Sequence, residues 1–322
     1  MENNKIVSSL RNKIFDTLSP LLSRRVLLTD LPYHDNLGDV LIWKGEIDFL
    51  KKNKTDLLES SSVFTFTFPD VDKDVTILLH GGGNFGDLYG DFHSFKKKVI
   101  AHYPNNRIVM FPQSVWYENE SLIEEDARAF AQHKDLYLCA RDQWSYNFFK
   151  AHFGANNILL VPDMAFCISD EILAPYRGKE IGKNLFFRRL DKELTNSTPQ
   201  SLGQECEVRD WPTVEEKPRR FYYFDKAYSV ARRLKRFKHV NHAVNHCIDR
   251  LADILIRDKL VRTGCEFLSP YSLIITTRLH AMILSVLLYK KVEYIDNSTG
   301  KLSAFAETWL QDLDSVKKFQ ND

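Results

Sequence analysis

The chain has 322 residues, of which 44% are hydrophobic, and its 44 basic and 43 acidic side chains leave a net charge of +1. This length allows two domains with separate cores, and the near-zero charge excludes a global field that would recruit nucleic acid. Five widely spaced cysteines without a CxxC pair argue against a disulfide framework and fit a reducing cytoplasm. The longest apolar run, at 281–288, is far shorter than the roughly 20 residues of a membrane span, and no apolar signal-peptide core precedes the first elements.

Residues 6–22 predict an amphipathic helix that breaks near Pro20, because apolar side chains recur at helical spacing between basic ones. Packing on its own domain is the usual role of such a helix, and lying on a membrane surface is the alternative. A buried strand at 26–29 then leads through a turn-rich loop to a helix at 39–52. Asn36, Gly38 and Asp39 follow that strand, where α/β sheets bind ligands, although Asp39 also suits a helix N-cap.

Two further strands are predicted at 63–68, from alternation, and at 75–79, from a continuous apolar run. The second leads into the segment HGGGNFGD, residues 80–87. Consecutive glycines favour a sharp turn or a close approach of the backbone to a ligand, and their N–H groups can hold an oxygen or a phosphate. The spacing matches neither GxGxxG nor a P-loop, and an esterase oxyanion loop needs a GxSxG motif that the sequence lacks.

The next segments repeat the βα pattern, with strands predicted at 107–111, 136–139 and 158–161 and helices at 121–133 and 143–152. Polar side chains again stand where strands end, with Gln113 after the first of these strands and Arg141 after the second. The pattern predicts a doubly wound α/β sheet with a functional rim at the carboxyl ends of its strands.

The pattern weakens from Ala174 to about Arg220, which predicts a hinge and the entry to a second domain, with its first strand at 184–187. Residues 227–257 predict helix with a break near Val240. His242 and His246 have no third ligand nearby, so no metal site is predicted. A dense basic helix face is formed by Arg232, Arg233, Lys235, Arg236 and Lys238. Such a face is usually solvated, and contact with anionic lipid or a lipid-linked pyrophosphate is the alternative.

The segment Leu273 to Lys290 predicts a buried strand that feeds directly into a buried helix. Thr276 or Thr277 suits the N-cap, which puts Arg278 and His280 in the first helical turn. A cation is the wrong charge for a helix N-terminus, so an anion held by the free N–H groups and by the guanidinium is one interpretation. An arginine paired with a neighbouring carboxylate, beside a histidine hydrogen-bonded in the core, is an equally supported alternative.

The last elements predicted are a strand at 292–295 and a terminal helix from the segment at 296–301 to about Lys318. A helix in this position could cross back to the first domain.

Six motifs, in order along the chain, resemble the polysaccharide pyruvyl transferase family. They are NLGD (36–39), HGGGNFGD (80–87), FPQS (111–114), ARDQWSY (140–146), PDMAF (162–166) and TTRLHA (276–281). The segment DNSTGKLSAFAETWL, from Asp296, is also similar to the family's C-terminal segment, with Thr299 where an aromatic residue is common.

This resemblance implies an α/β, GT-B-like fold of two Rossmann-like doubly wound domains facing across a cleft, here residues 1–173 and 174–322. It implies transfer of the pyruvyl unit of phosphoenolpyruvate to a pair of sugar hydroxyls, forming a ketal and releasing phosphate. The donor is a co-substrate, and no cofactor is expected. The acceptor is expected to be a precursor of a capsular or extracellular polysaccharide, with a lipid-linked oligosaccharide as one form of it.

The resemblance also implies roles for particular residues. Arg141, Arg278 and His280 are expected to be catalytic, with the two guanidinium groups clamping the donor and the imidazole acting as acid or base. The expected donor-binding residues are Arg141, Thr277, Arg278, Leu279 and His280. The expected acceptor-binding residues are Asn36, Asp39, Gly82, Gly83, Asn84, Asp87 and Gln113.

Two other classes of protein share this architecture. A GT-B glycosyltransferase that uses a nucleotide sugar is the alternative enzyme, and a non-catalytic scaffold has no chemical need for Arg141, Arg278 and His280 together. A cytoplasmic location is expected, with peripheral contact at the inner face of the membrane as one variant of it. Nucleic acid is not expected as a partner.

Overall fold

Apolar and β-branched strands form two parallel β-sheets in the computed structural model, which describes residues 2–189, 202, 206–234, 238–296 and 300–320. The first sheet has seven strands in the order β2-β1-β3-β5-β6-β7, with β4 paired to β5. These strands are β1 (Arg25–Thr29), β2 (Asp56–Ser60), β3 (Thr76–Leu79), β4 (Gly82–Phe85), β5 (Ile108–Val115), β6 (Leu136–Ala140) and β7 (Asn157–Leu160).

The second sheet has five strands in the order β12-β11-β10-β8-β9, again all parallel. Because every strand within a sheet runs the same way, the carboxyl ends of its strands lie at one edge. These strands are β8 (Lys183–Phe187), β9 (Cys206–Arg209), β10 (Tyr271–Thr276), β11 (Lys291–Tyr294) and β12 (Val316–Lys318).

Helices connect most successive strands, as is usual for parallel pairing, but none lies between β2 and β3 or between β3 and β4, where every residue is described. Those of the first half are α1 (Glu2–Leu18), α2 (Leu37–Lys52), α3 (Gly90–His102), α4 (Ser121–Ala131), α5 (Gln143–His152) and the short α6 (Asp170–Leu173). Those of the second half are the short α7 (Pro212–Glu215), α8 (Arg219–Leu234), α9 (Lys238–Ala252), α10 (Asp258–Leu268), α11 (Leu279–Leu287) and α12 (Lys301–Trp309), with a π-helical turn at Asp253–Arg257.

The predicted strand at 63–68 is wrong. The edge strand is β2, and residues 63–65 form a turn instead. The side chains of Ser62 and Thr65 satisfy the local backbone, since Thr65 Oγ1 accepts from Ser62 N at 2.9 Å. Phe66 is buried in the aromatic core, so the alternation in this segment reflects burial without strand pairing.

Part of the glycine-rich segment after β3 forms a strand, although the sequence suggested a loop there. Residues 82–85 form β4 alongside β5, and β5 runs on through Pro112, Gln113 and Ser114 to Val115. The expected unusual backbone is present, since φ is 125° at Gly82 and 108° at Gly86, values that favour glycine.

The apolar side of α1 packs into the core, where Val7, Leu10, Ile14 and Leu18 are buried. The apolar face of α1 is therefore buried within the protein, where the helix contacts both the turn at Met164–Cys167 and α11 of the second half. In the part of the chain that the structure describes, none of the helices combines the length and the hydropathy needed to cross a bilayer.

The basic face predicted on the long helical region is only partly described. Arg233 is exposed, whereas the side chains of Arg232, Lys235, Arg236 and Lys238 lie outside the described residues, as does that of His242. Contact with anionic lipid stays a prediction.

The predicted terminal helix is too long. The helix ends at Trp309, and Val316–Lys318 forms β12 beside β11. Thr299 lies outside the described residues. α12 lies against the first half of the chain, since Trp309 Nε1 donates to the carbonyl of Arg141 at 2.7 Å and Thr308 Oγ1 accepts from Gln143 N at 3.0 Å.

One buried apolar cluster extends through both halves of the chain. It includes Leu37 and Val40 of α2, Leu260 of α10 and Met282 of α11, and these three helices contact one another. The two sheets therefore share a core. The division at residue 173 and the GT-B-like arrangement stay predictions.

A second contact between the halves is polar and buried. Asp249 of α9 accepts hydrogen bonds from Tyr33 Oη at 2.8 Å and from Thr65 Oγ1 at 2.7 Å. Burial raises the pKa of Asp249 to about 7, although both hydrogen bonds oppose the shift.

This shift predicts a pH-dependent stability. Because the folded-state pKa lies above the unfolded value of 3.8, the contribution of Asp249 is fully present below about pH 4 and is lost as the pH rises through about 7. The side chain of Asp249→Asn can still accept both hydrogen bonds but cannot titrate. We therefore expect the free energy of unfolding of the variant to lack this fall with pH, which is worth up to about 4 kcal/mol in the wild type. Urea unfolding of both proteins across this range measures it, and parallel pH profiles would contradict it.

Candidate active site

A cavity of about 330 Å³ lies at the carboxyl ends of strands from both sheets. The residues that directly follow β1, β3, β6 and β10, or that begin α2 and α11, form most of its wall, as expected for a parallel α/β protein. The lining residues are Asp30, Pro32, His34, Asn36, Gly38, Asp39, His80, Gly81, Gly83, Asn84, Tyr89, Phe92, Arg141, Arg189, Trp211, Arg278, Leu279, His280 and Lys301.

Arg141 enters the cavity from the end of β6 in the first sheet, and its side chain is almost fully buried. Its Nε donates to Ser114 Oγ at 2.8 Å and its Nη1 donates to Asp163 Oδ2 at 2.9 Å. Its Nη2 lies 3.4 Å from the position that a Cβ on Gly83 would occupy. The guanidinium is thus held by Ser114 and Asp163 on one side and faces Gly83 on the other.

His280, in the first turn of α11, meets Arg141 across the cavity. Its Nε2 lies 3.3 Å from Asp163 Oδ2 and 3.5 Å from Arg141 Nη1, so one carboxylate serves both side chains. Burial alone would raise the pKa of Asp163, but His280 and Arg141 lower it below its usual range. Asp163 is therefore an anion that positions both groups, and the sequence signal for it was its place directly after β7 in the PDMAF motif.

Arg278 enters from the second sheet and is paired with a carboxylate. It is itself the N-cap residue of α11, where Thr276 or Thr277 was predicted. Thr276 Oγ1 instead accepts from Arg278 N at 3.0 Å. The guanidinium binds Asp210 in a bidentate manner, with Nε to Oδ1 at 2.5 Å and Nη2 to Oδ2 at 2.7 Å. The predicted alternative of an arginine paired with a carboxylate is therefore confirmed for Arg278, which also lines the cavity.

The sequence did not predict two further cations that line the cavity, Arg189 and Lys301. Arg189 follows β8 in a segment with no clear pattern, and Lys301 begins α12 within the C-terminal motif. Thr277, expected to bind the donor, does not line the cavity. It is buried, and its Oγ1 accepts from Arg189 N at 3.0 Å, so it positions the strand end that carries Arg189. Leu279 lines the cavity as expected.

The predicted acceptor residues divide into two groups. Asn36, Asp39, Gly83 and Asn84 line the cavity. Asn36, rather than Asp39, is the N-cap of α2: Asn36 Oδ1 accepts from Gly38 N at 3.2 Å, and Asn36 Nδ2 donates to Asp39 Oδ2 at 2.7 Å.

Gly82, Asp87 and Gln113 lie outside the lining of this cavity. Asp87 accepts from the backbone N–H groups of Glu118 and Asn119, and Gln113 Nε2 donates to the carbonyl of His80 at 2.6 Å. Both side chains hold neighbouring backbone in place.

Two buried ionisable side chains of the cavity wall were also missed. Asp30, directly after β1, has a φ of 71°, and its Oδ2 lies 2.6 Å from Nζ of the fully buried Lys96. His80, directly after β3, was noticed only as part of a glycine-rich motif. The signal available for both was their place after a buried strand.

Together these features describe a parallel α/β protein with one small cavity on which four cationic side chains and three imidazoles converge. The sequence profile of the polysaccharide pyruvyl transferase family matches residues 36–299. The chain belongs to this family, as its motifs predicted, and it is a pyruvyl transferase.

Individual relatives agree with this assignment. The chain is 30% identical to EpsO, a Bacillus subtilis (strain 168) protein named as a candidate pyruvyl transferase, over 100% of this chain and 97% of that protein. It is 30% identical to pyruvyl transferase 1 of Schizosaccharomyces pombe over 89% of this chain and 70% of that protein. An uncharacterized protein of Klebsiella pneumoniae shares the fold, with a TM-score of 0.60, 17% identity and coverage of 99% of both chains.

Gly38 gives a direct test of how the imidazole is placed. A Cβ at this position would lie 2.8 Å from His280 Nδ1, so a methyl group there must displace the ring. For Gly38→Ala we expect pyruvyl transfer to slow about 10- to 100-fold because a misplaced reactive group loses orientation. Steady-state kinetics, with thermal unfolding to confirm a folded protein, measures the effect.

Gly90→Ala is the matched control, since a Cβ at this position, at the start of α3, meets no atom within 4 Å. It should leave the rate unchanged. Equal rates for the Gly38 variant and the wild type would mean that the position of the His280 ring does not limit turnover.

Proposed function

We propose that the protein transfers the pyruvyl group of phosphoenolpyruvate to a pair of hydroxyls on a sugar of a polysaccharide precursor, forming a ketal and releasing phosphate. One observation carries the proposal: Arg141, which follows a strand of the first sheet, and Arg278, which begins the helix after a strand of the second, line the same cavity as His280.

The charges of the cavity match the donor. Phosphoenolpyruvate carries a phosphate and a carboxylate, so it needs cations on two sides to be fixed in one orientation. Arg141 and Arg278 supply planar guanidinium groups, which bind such oxyanions in a defined geometry, and Arg189 and Lys301 add positive charge. The carboxylates of Asp163 and Asp210 hold the two guanidinium groups from behind, so little reorganisation is needed when the donor binds.

The chemistry requires proton transfer beside this anion site. A proton must reach the methylene carbon of the donor, which creates an oxocarbenium-like centre at the adjacent carbon. Each attacking hydroxyl must lose a proton, and phosphate must leave. His280 lies at the guanidinium of Arg141 and is suited to one of these transfers, with an expected contribution of about 100-fold or more. The cations stabilise the departing phosphate.

The acceptor sugar is proposed to bind at the side of the cavity formed by Asn36, Asp39 and Asn84. Amide and carboxylate side chains are the usual hydrogen-bond partners of sugar hydroxyls. A lipid-linked oligosaccharide in the cytoplasm is the acceptor class that we propose.

Mass spectrometry tests the proposal directly. Purified protein, phosphoenolpyruvate and a panel of galactosides and lipid-linked oligosaccharides should yield an acceptor heavier by one pyruvyl ketal, with equimolar phosphate. Calorimetry with phosphoenolpyruvate and with UDP, side by side, distinguishes the glycosyltransferase alternative. Binding of UDP alone, with no phosphate released from phosphoenolpyruvate, would contradict the proposal.

Arg278→Lys tests the donor clamp. The charge is kept, but an ammonium cannot bind both oxygens of Asp210 and also present a further N–H of a fixed planar group to the donor. We therefore expect kcat/KM for phosphoenolpyruvate to fall about 100-fold. Arg107→Lys is the control, because Arg107 also contacts both oxygens of one carboxylate, that of Asp135, but does not line the cavity. Wild-type turnover in the Arg278 variant would refute the clamp.

A further inference from the structure

A second histidine faces the cavity in an arrangement suited to proton transfer. His80 directly follows β3, and its backbone is fixed on both sides: His80 N donates to the carbonyl of Thr29 at 3.0 Å, and its carbonyl accepts from Gln113 Nε2 at 2.6 Å. The ring is only 2% exposed, yet it lines the cavity.

The two ring nitrogens of His80 have different surroundings. Nδ1 lies 2.8 Å from Oε2 of Glu46, a fully buried residue of α2, and the other Glu46 oxygen accepts from Gly81 N at 2.9 Å. Nε2 is buried and has no hydrogen-bond partner among the residues that the structure describes. A buried polar atom without a partner is costly, so a ligand in the cavity is the natural partner for it.

Resting on the proposed pyruvyl transfer, we propose that His80, oriented by Glu46, is a second catalytic residue that delivers a proton from Nε2 to the methylene carbon of phosphoenolpyruvate. The geometry is that of a carboxylate-held imidazole, in which the buried acid fixes the tautomer and the orientation of the ring.

Charges around the ring favour this direction of transfer. Burial lowers the pKa of His80, but Glu46, Asp30 and Asp39 together raise it above its ordinary value. Lys96 pairs with Asp30 and offsets part of this field, and Asp163 acts in turn on Glu46. These carboxylates stabilise the protonated ring, and an imidazolium in this position is suited to donate the proton on Nε2.

The proton transfers balance with two histidines. The electron pair of the donor's C2–C3 double bond takes the Nε2 proton of His80, and the first sugar hydroxyl bonds to C2 as its proton passes to His280. The bond from C2 to the phosphate oxygen then breaks, its electron pair leaves with phosphate, and phosphate takes the proton from His280. The second hydroxyl bonds to C2 and returns a proton to His80, which restores both residues.

His80→Asn separates this role from a structural one. The asparagine amide can still donate to Glu46 but places no nitrogen at the Nε2 position. We expect kcat to fall about 100-fold or more, while the calorimetric dissociation constant of phosphoenolpyruvate stays within about threefold of the wild type. Glu46→Gln removes the charge behind the ring, so the alkaline limb of the kcat profile should move to lower pH.

The fold provides a matched control in His93. It is also a buried histidine paired with a carboxylate, with Nε2 2.6 Å from Asp126 Oδ2, but Gly86 N donates to its other nitrogen and it does not line the cavity. His93→Asn should keep the wild-type kcat per folded molecule and the wild-type pH profile.

The outcomes are distinct. A His80→Asn enzyme with kcat within a few-fold of the wild type, or one whose loss is entirely in donor affinity, overturns the assignment of His80, as does an unmoved pH profile for Glu46→Gln. A wild-type protein that releases no phosphate from phosphoenolpyruvate with any acceptor overturns the proposed function itself, and this inference with it.

Discussion

The site depends on one buried carboxylate, Asp163, which follows the last strand of the first sheet. Its Oδ2 is shared by Arg141, from the same sheet, and His280, from the first turn of α11, and its Oδ1 accepts from Ala165 N. Removing such a partner would leave the buried guanidinium of Arg141 uncompensated, which typically costs about 3–5 kcal/mol. The Asp163 carboxylate therefore both joins the two halves of the protein and fixes the relative position of two side chains that line the cavity.

The position of Asp163 is set by close packing beneath it. The turn at Met164–Cys167 lies directly on α2, where a Cβ on Gly45 would come within 1.9 Å of the Met164 carbonyl oxygen. Only glycine allows this approach. The same helix carries Glu46, which contacts His80, and it begins at Asn36 and Gly38, which line the cavity. One helix therefore supports several parts of the cavity wall.

The cavity wall follows a consistent electrostatic arrangement. Four buried groups of the wall each contact a side chain of opposite charge: Asp163 for Arg141, Asp210 for Arg278, Lys96 for Asp30 and Glu46 for His80. Such pairing fixes the direction of each group before the substrate arrives, and that preorganisation is the main source of electrostatic catalysis. The pairing also lowers the free-energy cost of burying these charges, because each buried charge is compensated by its partner.

The sequence by itself determined the α/β class, most strands and helices, and the family, because hydrophobic periodicity and short motifs are local properties of the chain. It placed Arg141 after a strand and Arg278 and His280 at the start of a helix, and all three line the cavity. It misassigned residues 63–68, since alternation reports burial without naming the pairing partner. Only the tertiary structure decided which strand ends meet, and so brought in Asp30, His80, Arg189 and Lys301 and left Asp87 and Gln113 outside. The physical reason is that these contacts join residues far apart in sequence, through a shared core and buried ion pairs that no local pattern encodes.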